Sequence, residues 1–100
     1  MVSSYMKKVF YEDDRFKITL EEVDGYLMVH LAVYEFSKKV LKEIKVLWKD
    51  IQDRSYMSGY DKIYTYTREP RMFKFFPEAE KLGEFEKSGL TYEVWVWELK

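Results

Sequence analysis

The chain has 100 residues, 47% of them hydrophobic and 35% charged, a balance that fits one small globular domain over residues 1–100 and excludes a chain kept disordered by low hydrophobicity. Its formal net charge of −1 argues against a globally basic nucleic-acid binder, and the absence of cysteine excludes disulfides, thiolate nucleophiles and Cys-based zinc sites together. With no signal peptide and no apolar run long enough to span a bilayer, a cytoplasmic protein without membrane attachment is expected.

The opening stretch VFYEDDRF, residues 9–16, reads as a short strand and turn. FKITLEEV at 16–23 alternates Phe16, Ile18 and Leu20 with Lys17, Thr19 and Glu21, the period of a strand buried on one face. Asp24-Gly25 supplies the two-residue turn favoured in hairpins. The return strand, YLMVHLAVY at 26–34, is apolar at nearly every position, which predicts a central strand buried on both faces.

From Ser37 the period changes. Val40, Leu41, Ile44, Leu47, Trp48 and Ile51 recur at spacings of three and four, so one apolar stripe runs along a helix with Ser37 as its N-cap. After Ser58-Gly59, the β-branched and aromatic KIYTYT at 62–67 reads as a strand, and strand–helix–strand implies a right-handed parallel crossover. Pro70 can open a short helix, PRMFKFF, that ends before Pro77. The final strand, TYEVWVWEL, turns Tyr92, Val94, Val96 and Glu98 one way and Glu93, Trp95, Trp97 and Leu99 the other.

Few residues carry chemistry. His30 is the sole histidine, so neither a histidine metal cluster nor a relay can form, and its apolar strand suits a hydrogen-bonded structural role. Glu12, Asp13 and Asp14 fit a solvated turn, since they lack the alternating ligands and glycine of a calcium loop. Lys38, Lys39, Lys42, Lys45 and Lys49 make the exposed side of the helix mainly basic, either as a solvated face or as a docking face for an acidic partner or nucleic acid, with Lys49 near the C-terminal end of the helix dipole. Arg68 and Arg71 flank Pro70 beside aromatic residues, a combination typical of binding hot spots. Trp95 and Trp97 in VWVW serve either the core or a partner interface, including self-association through this strand.

The order strand, strand, long helix, strand, short helix, strand resembles the core of the GNAT-type N-acetyltransferases. EAEKLGEF at 78–85 and YEVWVWEL at 92–99 are similar to the ending of that family, especially of small phage-encoded members. The implied fold is α/β (α+β): a GNAT-like mixed sheet with an N-terminal hairpin, one long amphipathic helix in a crossover, a short second helix and an aromatic C-terminal strand. The family holds the pyrophosphate of acetyl-CoA on a glycine-rich loop between the central strand and the long helix. The matching AVYEFSKKVL, residues 32–41, has no glycine and carries Glu35. The general-acid tyrosine that stands four residues before the signature glycine in many members is matched by Ala79, four before Gly83, which cannot donate a proton. Tyr64 or Tyr66 could substitute. The N-terminal strand and the substrate-binding helices of the family are expected to be missing, because few residues precede Phe16. These departures imply a non-catalytic protein without cofactor or metal that acts by protein binding, as a phage-encoded modulator of a host protein or defence system in the host cytoplasm. The alternatives are an acetyl-CoA-dependent N-acyltransferase with an atypical or partner-completed site, and a small virion or scaffold component.

Overall fold

A computed structural model of the chain describes residues 5–68, 76 and 78–99. They form β1 (Tyr5–Glu12), β2 (Phe16–Val23), β3 (Tyr26–Val33), α1 (Lys38–Met57), β4 (Lys62–Thr67), β5 (Glu80–Lys87) and β6 (Leu90–Glu98). The class is α+β, with one helix against a six-stranded mixed sheet of order β1-β2-β3-β4-β6-β5. Only β3 and β4 run parallel, as the strand–helix–strand pattern requires.

Local chemistry sets the hairpins. Asp24 and Gly25 both hold positive φ, 51° and 85°, the backbone of a tight turn whose twist matches that of the flanking strands. Ser88 and Gly89 repeat it at 54° and 77° between β5 and β6. The Ser37 hydroxyl accepts from the Val40 amide at 3.1 Å, so the expected N-cap is in place.

The core lies between α1 and one face of the sheet. Val40, Ile44 and Ile51 of the helix pack on Phe16 and Ile18 of β2, Leu27 and Val29 of β3, Ile63 of β4, and Trp97 and Leu99 at the end of the chain. The Trp48 ring meets Trp97 edge-on at 4.7 Å. Because strand side chains alternate, the core residues of β2, β3, β4 and β6 share one face of the sheet and the residues between them point away from the helix.

Several expectations change. The opening strand is longer than a short strand and turn, because seven of the eight residues of β1 pair with β2 around a register shift at Phe10, so an N-terminal strand is present. EKLGEF, to which the sequence pattern assigns no element of its own, lies in β5, paired with β6. β3 is central, but no described element covers its second face, where Tyr26 is 60% exposed and Ala32 is exposed. The helix runs to Met57, so Arg54 occupies its last turn and Lys49 sits about two turns before its end. The short helix at 70–76 lies, but for Phe76, outside the described residues.

Truncating the fully buried Ile51 should therefore remove core contacts from several strands at once. Ile51→Ala is expected to lower unfolding free energy by about 2–5 kcal/mol and Ser37→Ala by about 1 kcal/mol, both measured by urea denaturation.

Candidate functional site

At the join between β3 and α1, where a phosphate cradle would form, several backbone amides are bonded within the protein. The amides of Tyr34 and Glu35 donate to the Arg15 carbonyl at 2.7 and 3.1 Å, and the Leu41 amide donates to the Ser37 carbonyl at 3.0 Å. With Val40 engaged by the Ser37 hydroxyl, four amides around the helix start already have acceptors. Such a cradle depends on amides that point at the anion without a competing acceptor.

The same join is held by a charge network from the β1–β2 turn. The Arg15 guanidinium donates to Asp13 Oδ2 at 2.8 Å and also to Glu43 on α1. Asp13 accepts from the Tyr11 hydroxyl at 2.7 Å and from the amides of Arg15 and Phe16 at 2.7 and 3.1 Å. The Arg15 guanidinium holds the Asp13 carboxyl well below the usual carboxylate range; burial opposes this, while the Tyr11 hydroxyl and the two amides add to it. The network is structural. It pins the turn, the start of the helix and the end of β3 together.

The parallel joint between β3 and β4 is narrow. Its paired register is Met28 with Tyr64, whereas β4 and β6 align six successive pairs. Next to that pair, the Thr65 hydroxyl donates to the Val29 carbonyl at 2.6 Å, a side-chain bond that stitches the two strands. Beyond it, a cavity of about 100 Å³ lies on the helix side, bounded by Leu31, Ile44, Trp48, Thr67 and Phe76 among others. Its lining is mainly apolar, and Thr65, which also lines it, already uses its hydroxyl on the backbone.

The candidate residues fall on separate surfaces. Lys38, Lys42, Lys45 and Lys49 are all exposed along one stripe of α1, as spacings of four, three and four dictate, and Val46, 68% exposed, lies beside them. Arg68 is exposed just after β4, and Arg71 lies outside the described residues. Trp97 is 5% exposed in the core against Trp48, while Trp95 is half-buried on the same side of the sheet and donates its ring N–H to Glu93 at 3.2 Å. Tyr64 and Tyr66 alternate with Ile63 and Thr65, so they project from the face opposite the helix, away from the β3–α1 join. His30 projects there too, with Nε2 3.1 Å from Glu21 Oε1 and its ring edge-on to Tyr66 at 5.1 Å.

Sequence reasoning missed the aromatic group that Tyr66 organises on that face, where it meets Phe85 and Tyr92, each at 5.7 Å, and those two rings stack at 5.2 Å. The Ser88-Gly89 turn was the available signal, since it makes residues 80–87 a strand and sets Phe85 opposite Tyr92. Among the described residues, no group of three or more His, Cys, Asp or Glu is placed to hold a metal ion, and no helix is long and apolar enough to cross a membrane. The chain matches no family model, and no curated protein matches it.

The depressed Asp13 ionisation carries a stability signature with a definite sign. Its contribution is present above the unfolded carboxylate value of about 3.9 and is lost as pH falls from there toward the folded value. Asp13→Asn should lower the melting temperature at neutral pH. That deficit should shrink as thermal melts of both proteins are taken to lower pH below about 4.

Proposed function

We propose that this chain is a non-catalytic protein with a GNAT-like fold that acts by binding another protein, in the manner of a phage-encoded modulator of a host protein or defence system. The observation that carries the reading is the β3–α1 join, where the Tyr34, Glu35 and Val40 amides are engaged inside the protein and Glu35 adds negative charge. An anionic cofactor would have to displace these bonds and approach a carboxylate. The likeness to the GNAT fold is supported by the long helix between parallel strands and by the aromatic last strand. An acyltransferase relying on Tyr64 or Tyr66 gains no support, because both rings project from the face opposite the helix.

The partner surface that fits best is the exposed side of α1. Its lysine stripe surrounds apolar Val46, and the stripe continues towards Tyr56 and Met57, 53% and 86% exposed. A protein with an acidic rim around a small apolar patch complements such a surface, since charges at a rim steer encounter and the apolar centre supplies affinity.

Calorimetric titration with acetyl-CoA and with CoA tests the first part. Neither heat of binding nor a rise in melting temperature is expected, because a ligand that binds only the folded state must stabilise it. Binding in the micromolar range would overturn the reading. For the second part, Lys42→Glu combined with Lys49→Glu should abolish recovery of the wild-type partner in an affinity pull-down while the melting temperature stays within a few degrees.

A further inference from the structure

The face of the sheet turned away from α1 is apolar at its centre, neutral in charge and uncovered by any described element. Strand register places Met28, Tyr64, Tyr66, Val94, Tyr92 and Phe85 across its middle. Tyr26 is 60% exposed there, Tyr66 40% and Phe85 36%. These rings touch one another in the plane of the face: Tyr26 meets Tyr64 edge-on at 5.6 Å, and Tyr66 links His30 to Phe85 and Tyr92. An exposed aromatic surface of this breadth is characteristic of an interface.

We infer that this face joins two copies of the chain, sheet against sheet. Charge favours a second copy over nucleic acid. By register, the face carries Lys7, Lys17, Lys62 and Lys87 against Glu12, Glu21, Glu80 and Glu98, four of each sign. Lys7 lies opposite Glu21, Lys17 opposite Glu12 and Lys62 opposite Glu98, so most of these charges are balanced within the face itself. A surface of zero net charge with both signs at its rim does not repel its own copy. It also lacks the positive field that holds a phosphate backbone.

Area favours the same occupant. Six strands of about eight residues, spaced about 4.8 Å apart and rising about 3.3 Å per residue, present a face on the order of 750 Å². A stable dimer of standard size buries about 800 Å² on each partner. Two such faces can pack with their side chains interdigitated about 10 Å apart, as in sandwiches of two sheets. The inference goes beyond the proposed partner docking and uses the opposite side of the sheet from α1, so each can fail without the other.

Sedimentation velocity of the full chain over a wide concentration range tests it. Wild type and the Lys42→Glu variant are expected to form dimers alike. Tyr26→Glu and Ala32→Lys each place an unmatched charge at an exposed position of the face, and each should raise the dimer dissociation constant by about tenfold or more. At the lowest concentration, where wild type is also monomeric, both variants should melt with wild type, which separates lost association from lost folding. Wild type that stays monomeric throughout would overturn the inference. So would a dimer that survives either substitution, which would place the contact elsewhere, or a monomer that binds a short labelled oligodeoxythymidine through Tyr26, which would assign the face to single-stranded nucleic acid.

Discussion

Among the described residues a single helix has to close one face of a six-stranded sheet, and the rest of the structure follows from that constraint. Twenty residues of helix reach about 30 Å but cover a strip only about 10 Å wide. The core is therefore concentrated beneath α1, where Val40, Ile44 and Ile51 meet strands from both halves of the sheet. At the margin of that strip, Trp48 extends the cover by meeting Trp97 and Phe76 edge-on. The opposite face has no comparable helix among the described residues, and its large side chains pack on one another instead.

The helix must also be fixed in direction over the sheet, and the contacts at its start accomplish this. Arg15 bridges Asp13 in the β1–β2 turn and Glu43 one and a half turns into α1, while its carbonyl receives the amides that end β3. One residue thus holds a turn, a strand end and a helix in register. At the same join the amides of Tyr34, Glu35 and Val40 are bonded within the protein.

The two sides of the molecule differ in what they can recognise. The exposed side of α1 is basic with an isolated apolar centre, which suits encounter with an acidic surface. The uncovered face of the sheet is neutral and aromatic, which suits close packing more than steering. His30 sits within that second surface, bonded to Glu21 and against Tyr66, so the single histidine belongs to the packing of the face.

Sequence alone determined the elements governed by near neighbours. The alternation of Phe16, Ile18 and Leu20, the Asp24-Gly25 turn, the Ser37 cap and the stripe from Val40 to Ile51 were all legible, because strand and helix periods and turn backbones depend on residues a few positions apart. The opposed faces of the last strand were legible for the same reason. What only the tertiary structure decided depends on pairings between distant segments. Apolar composition of β3 could not say whether its second face is covered, since that depends on how many helices the whole chain supplies. β5 was hidden by its charged residues, which suit an edge strand and lack the alternation of a buried one. The bond between Arg15 and Glu43 spans 28 positions in the chain, and no local pattern announces it. The neutral aromatic face is likewise assembled from β3, β4, β5 and β6, and it exists only once the order of the strands is set.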